Sequence, residues 1–306
     1  MIRVTHYNDA ACPWGYSVNP ALRVLEWRYR DQLAWRLVMI GLRDDPADLR
    51  RARYDPGAAA ARNAVFRRRY GMPFGLVVKS RPATTGRGCR AVVAARLLEP
   101  GSERRVFRAL QLANFTTPLL LDDDDMIGEA LRTVPGLDGN AIIDLLDDPA
   151  VVEAYERDKA EARSGAGTAA ESQGKTSTSD GPVRFTAPSL VFEQDGRRLI
   201  AGGWQTVEAY DVLVANLDPR IERTPPPETV APLLAYFEDG LTTAEVAALL
   251  AVGPDYATDL DATEQALVQS IGMGEATRTP MGQDALWRSA NALESPRRKV
   301  EATVVG

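Results

Sequence analysis

Apolar and polar side chains alternate from Ile2 to Asn8, the period-two signature of a strand. After the break at Asp9-Ala10-Ala11, the residues Trp14, Val18, Leu22, Leu25 and Tyr29 recur at spacings of three and four, which predicts an amphipathic helix over 13–30. Pro13 stands just inside its start, where the missing N–H is harmless. The apolar run at 34–42 predicts a second strand, so the chain opens with a strand–helix–strand unit. From there the period becomes helical, with helices expected at 56–70, 88–98, 103–114, 122–134 and 140–163. Gly71-Met72-Pro73, Glu99-Pro100-Gly101, Thr117-Pro118 and Pro135-Gly136 separate them.

Residues 164–181 carry no aromatic or large aliphatic side chain and read as a long loop. Strand signals return at 189–193 and 198–202, joined through Asp195-Gly196, a strong hairpin signal, and a helix is expected over 205–217. Pro225-Pro226-Pro227 forms a stiff boundary. Beyond it, 230–238, 243–250 and 261–271 look helical, and 276–287 contains short β-like pieces. The expected boundaries are 1–55, 56–183, 184–222 and 223–306, with the first and third segments forming one α/β domain.

The 306 residues are 45% hydrophobic and 25% charged, values that suit a folded chain and argue against a disordered, collagenous or coiled-coil one. No apolar run approaches the ~20 residues of a membrane helix, and the amino terminus lacks a secretory pattern, so a cytoplasmic protein with no membrane partner is expected. The net charge of −6 is the wrong sign for a nucleic-acid binder. A single histidine, His6, and two cysteines, Cys12 and Cys89, exclude a multi-histidine metal site and a disulfide framework, so no metal is expected.

Nucleophilic chemistry therefore points to a thiol. Cys12-Pro13-Trp14-Gly15 falls where a strand ends and a helix begins, a position at which free N–H groups and the helix dipole favour a thiolate. A buried structural cysteine is the alternative. Thr186-Ala187-Pro188 stands immediately before the strand at 189–193, where Ala187–Pro188 is either a cis peptide in a functional turn or a trans proline ending a loop.

These features, in this order, resemble the DsbA-like branch of the thioredoxin-fold family: a strand ending in Asp9-Ala10-Ala11-Cys12-Pro13-Trp14, a helical insertion after the second strand, and Thr186-Ala187-Pro188-Ser189-Leu190-Val191-Phe192 before a hairpin and closing helix. The resemblance covers residues 1–220. It implies a thioredoxin-like α/β fold with an all-helical insertion domain, Pro188 cis and packed beside Cys12, and thiol–disulfide exchange initiated by Cys12. Pro13, Trp14 and Ala187 would contact substrate. In the family a second cysteine three residues on resolves the mixed disulfide, and here that position is Gly15.

Three readings follow from this departure. Cys12 works as a single thiol on a protein or small-molecule disulfide, with glutathione or another low-molecular-weight thiol resolving it and no tightly bound cofactor. The chain instead resembles kappa-type glutathione transferases and 2-hydroxychromene-2-carboxylate isomerases, which bind a thiol cofactor at the same place. Or the fold is a non-catalytic interaction scaffold. Cys89 is either a remote resolving thiol or a packing residue, and His6 either accepts the Cys12 proton or is a half-exposed strand histidine. Arg67-Arg68-Arg69 either receives cofactor carboxylates or is a solvated face. Glu238 to Leu250 resembles the first half of a helix-turn-helix, which makes 223–306 a winged-helix-like domain. Residues 228–295 hold eleven acidic against two basic side chains, so a protein partner or homodimer is expected there, and the Arg297-Arg298-Lys299 tail is too short to reverse that sign.

Overall fold

A computed structural model describes residues 1–44, 47, 49, 54–179, 181–252 and 257–293. Most of the charged segment at 43–53 and the Arg297-Arg298-Lys299 tail lie outside the described residues. The amino-terminal alternation forms β1 (Ile2–Asn8), followed by α1 (Pro13–Ser17), α2 (Asn19–Tyr29) and β2 (Leu33–Met39). The single helix expected over 13–30 is thus two, broken at Val18, because Pro20 in the first turn of α2 lacks the N–H that would continue the ladder.

The helices α3 (Pro56–Tyr70), α4 (Gly86–Leu98), α5 (Glu103–Thr116), α6 (Asp124–Leu131), α7 (Gly139–Asp144) and α8 (Pro149–Ala162) come next. The helix expected over 140–163 is divided at Asp148-Pro149, where Asp148 caps a new start by accepting from the Ala150 N–H. The loop expected over 164–181 holds a short helix, α9 (Ala169–Ser172), and a strand, β3 (Thr176–Ser177), paired with β4 (Arg184–Phe185). Its composition gave no core signal because, among its described residues, the buried ones are Gly165, which has no side chain, and Ala170, which packs against Ala162 and Phe185.

The hairpin β5 (Ser189–Gln194) and β6 (Arg197–Ala201) turns through Asp195 and Gly196, whose φ values of 50° and 76° are the paired left-handed conformations of a tight two-residue turn. The closing helix is α10 (Val207–Leu217). The sheet has order β2-β1-β5-β6, with β1 and β2 parallel and the other pairs antiparallel. One face buries Val4, Leu33, Leu190 and Phe192 beneath α2 and α10, and its continuation, Leu37 and Met39, packs on α4 and α5. The opposite face buries Tyr7, Val38 and Val191 against Ala162, Ala170 and Phe185.

The remainder comprises α11 (Ala231–Tyr236), β7 (Leu241–Thr242), α12 (Thr243–Leu250), α13 (Leu260–Gly272), β8 (Ala276–Met281) and β9 (Asp284–Ser289), with sheet order β7-β9-β8. Its core around Leu233, Leu249, Leu267 and Trp287 also takes in Val24 and Trp27 of α2. This core thus reaches across the expected boundary at 223 onto α2. Thr242 and Glu245 close a capping box at the start of α12, and Glu245 also makes a two-pronged ion pair with Arg108 of α5 at 2.6 and 2.7 Å. Arg23 of α2 adds a bond to Asp239 at 2.7 Å. Among the described residues, no helix is long and apolar enough to cross a membrane.

Candidate functional site

Cys12 is the N-cap of α1, and it is only 4% exposed. Its sulfur accepts the Gly15 N–H at 3.4 Å and donates to the Ala187 carbonyl at 3.2 Å. The Ala187–Pro188 peptide is cis, and Ser189 anchors the turn by donating to the Thr186 carbonyl at 2.6 Å. Two segments separated by the whole helical region thus meet at one sulfur. Trp14 is half exposed beside it and meets Phe66 of α3 edge-on, 5.0 Å between ring centroids. Pro13 opens α1 at the first helical position.

The sulfur does not have the character expected from its place at a helix start. Burial, the largest influence, pushes the Cys12 thiol up to about 12, and the Asp9 charge adds to it, while the N–H groups of Gly15 and Trp14 and the Arg184 charge act the other way. The helix dipole is weak because α1 runs for only five residues before the break at Val18. The thiol is protonated, as its donation to Ala187 requires. At Cys12 burial thus outweighs the effect of the helix start.

Gly15, at the position of the missing second cysteine, is more than a vacated site. A Cβ there would lie 2.0 Å from Asn8 Oδ1 and 2.8 Å from its Cγ. Asn8, wholly buried, reaches across with Nδ2 3.3 Å from the Gly15 carbonyl. Its Oδ1 accepts the Asp9 N–H at 2.8 Å, which fixes Nδ2 as the amino group and makes it the donor to His6 Nε2 at 2.9 Å. The side chain of Asn8 fills the space that a resolving thiol would need.

His6 is 5% exposed, not the half-exposed strand residue of the bland expectation. Burial first and the Arg104 charge second lower it to about 3, so the ring is neutral. Its acceptor nitrogen is already engaged by Asn8, and the hydrogen bonds of Cys12 go to Gly15 and Ala187 instead. Cys89 is buried on α4 and donates to Asp9 Oδ2 at 3.7 Å. Its thiol is held well above the ordinary range by burial and by Asp9. Both cysteines are free, with no disulfide between them.

Two residues of the site were not assigned a role from the sequence. Asp9 accepts from the Ala11 and Leu42 N–H groups and the Thr85 hydroxyl at 2.8 to 2.9 Å, tying the cysteine loop to β2 and to the start of α4. Asn8 is the other, and neither alternation nor spacing distinguishes it from any strand-end asparagine. Arg67, Arg68 and Arg69 lie in the last turn of α3, where they complement the helix dipole; Arg67 bonds Gln283 of the β8–β9 turn. Among the described residues no cluster of His, Cys, Asp and Glu is arranged to hold a metal.

No family model and no curated protein matches the sequence. The backbone is similar to that of a candidate protein disulfide isomerase from Nitrosomonas europaea, at 16% identity and a TM-score of 0.52, over 70% of this chain and 96% of that one. It is equally similar to a probable DsbA oxidoreductase from Streptomyces coelicolor, at 19% identity and a TM-score of 0.52, over 74% of this chain and 92% of that one. With its β2-β1-β5-β6 sheet, a cysteine capping the helix after β1 and a cis proline opening β5, the chain has a thioredoxin fold of the DsbA-like type.

Proposed function

We propose that the protein is a thiol–disulfide oxidoreductase that works through one cysteine. The observation that carries this reading is the apposition at Cys12: one sulfur bonded both to the first turn of α1 and to the carbonyl preceding the cis proline. A disulfide R–S–S–R′ entering beside Trp14 displaces the Ala187 carbonyl from the sulfur. Cys12 attacks one sulfur, the S–S bond of the substrate breaks, and the Cys12 proton leaves with R′ as R′SH. A low-molecular-weight thiol then attacks the Cys12–S–S–R bond, takes R as a new disulfide and returns the proton to Cys12, so electrons balance without a second protein thiol. Asn8 supports this single-thiol course, because the space of a resolving cysteine is filled.

The high position of the Cys12 thiol favours a second reading, a binding scaffold whose chemistry is silent. Intact mass after treatment with oxidised glutathione separates the two. The oxidoreductase reading expects one glutathione on Cys12, none on Cys12→Ser, and reversal by added thiol; an unmodified Cys12 in the folded protein sinks it. Iodoacetamide labelling of Cys12 should keep accelerating with pH beyond 9, whereas a plateau near pH 7 would contradict the buried thiol described above.

The same reading takes α3–α8 as an inserted helical domain covering the cysteine. It takes α11–β7–α12–α13–β8–β9 as a winged-helix-like unit, supported by its element order and its β7-β9-β8 sheet. Asp261, Glu264 and Glu275 on and after α13 are exposed, a charge pattern that suits a protein partner and opposes phosphate backbones.

A further inference from the structure

A cavity of about 1330 Å³ lies between the sheet, α5 and the carboxy-terminal unit, and Cys12 is not part of its wall. Its rim at Glu99, Gly101, Pro135 and Gly136 is exposed, so it opens to solvent. The wall is rich in guanidinium groups. Arg23, Arg104 and Arg108 are matched by Glu26, Asp239 and Glu245. Arg30, Arg105 and Arg288 have no carboxylate partner among the described residues: Arg30 sits in the corner formed by the perpendicular Trp27 and Tyr236 rings, 3.8 and 4.1 Å from their centroids, and Arg105 donates to the Pro135 carbonyl.

Two buried polar atoms on the wall have no partner among the described residues, Gln111 Nε2 and Arg288 Nε. Gln111 is 1% exposed; its Oε1 accepts from Asn19 Nδ2 at 3.0 Å, while its Nε2 has no partner. Arg288 Nε is likewise buried and unpartnered. With His6 Nε2 accepting from Asn8, the ring proton is on Nδ1, and His6 lines the cavity. Each of these groups is a hydrogen-bond donor. A buried donor without an acceptor costs about 1–3 kcal/mol, so a wall with this bias is complemented by an acceptor-rich, negatively charged molecule.

We propose that this cavity binds a small polyanion, a molecule bearing two or more phosphate or carboxylate groups. Its volume exceeds that of ordinary ligand pockets, about 300–1,000 Å³. Trp35 and Phe107 on the wall add apolar surface for the remainder of such a ligand. The positive charge already crowded there is visible in Arg104, which burial and then the neighbouring Arg23 hold down to about 10. The proposal rests on the cavity wall alone and is independent of any chemistry at Cys12.

The test is calorimetric titration of the full chain with pyrophosphate and, separately, citrate, at an ionic strength fixed with sodium chloride. Saturable one-to-one binding of pyrophosphate only assigns a phosphate ligand, and of citrate only a carboxylate one. Arg288→Gln should weaken the binding at least tenfold; Arg105→Gln, at the half-exposed rim, should weaken it several-fold and carries the test if the first variant does not fold. The bound anion should also raise the melting temperature of the wild type by more than that of either variant at the same concentration. Failure of both anions to saturate, or wild-type affinity in both variants, overturns the proposal.

Discussion

Gly15 and Asn8 are each unremarkable alone and decisive as a pair. With Asn8 Oδ1 2.0 Å from where a Cβ would be built, Gly15→Cys should lower stability by about 1–3 kcal/mol through overpacking. Adding Asn8→Ala should recover part of that loss and let mild oxidation remove two hydrogens between Cys12 and the introduced thiol. Thermal melts and intact mass check both outcomes, and a fully stable single variant would show that Asn8 does not occupy that space. His6 makes a second prediction at this scale. The folded ring takes a proton only near pH 3, while the unfolded chain takes one near 6.5. Protonation therefore favours the unfolded state as pH falls from 6.5 to 3, with a limiting slope of about 1.4 kcal/mol per pH unit. His6→Gln should show a shallower decline over that window in urea titrations, and equal slopes would contradict a neutral buried His6.

Between elements, α5 and α12 are joined by a charge pair buried on both sides. Glu245 closes the capping box of α12 and receives both amino groups of Arg108, with 0% and 7% of the two side chains exposed. Such a pair adds little relative to apolar packing, but removing one member strands the other charge. Arg108→Met should therefore lower stability by about 3–5 kcal/mol, and Arg108→Met with Glu245→Met by less than the sum of the single losses, as read from urea unfolding. Additive losses would mean that the two charges do not depend on each other. The Cys12 result belongs to this scale as well: a helix of five residues ended by Pro20 is too short to overcome burial of the sulfur.

Across the whole molecule, the carboxy-terminal unit completes the thioredoxin unit. Val24 and Trp27 of α2 sit in its core, Trp27 donates to the Pro225 carbonyl at 2.8 Å, and Arg23 reaches Asp239. A chain ending at residue 222 would expose that apolar face, take Asp239 from Arg23 and leave Arg108 without Glu245 and Asp239. It is expected to associate or lose cooperative unfolding, as read by gel filtration and near-ultraviolet dichroism. A stable monomer with a sharp transition would establish the two parts as independent.

Periodicity and punctuation alone determined the strands, most of the helices and the Asp195-Gly196 turn, because each is written in local spacing or in residues with special backbone freedom, whereas the meeting of Cys12 with Pro188 was implied by the family resemblance. Helix breaks were legible only in part: Pro20 and Pro149 were in view, but the apolar spacing ran across them. The short helix and strand within 164–179 were hidden because the one side chain they place in the core is that of Ala170. The protonated state of Cys12, the neutral His6, the Asn8 side chain under Gly15 and the donor-lined cavity were decided by tertiary structure. Burial, charge neighbours and the space left for a Cβ depend on residues far apart in the chain, and no pattern of neighbouring residues encodes them.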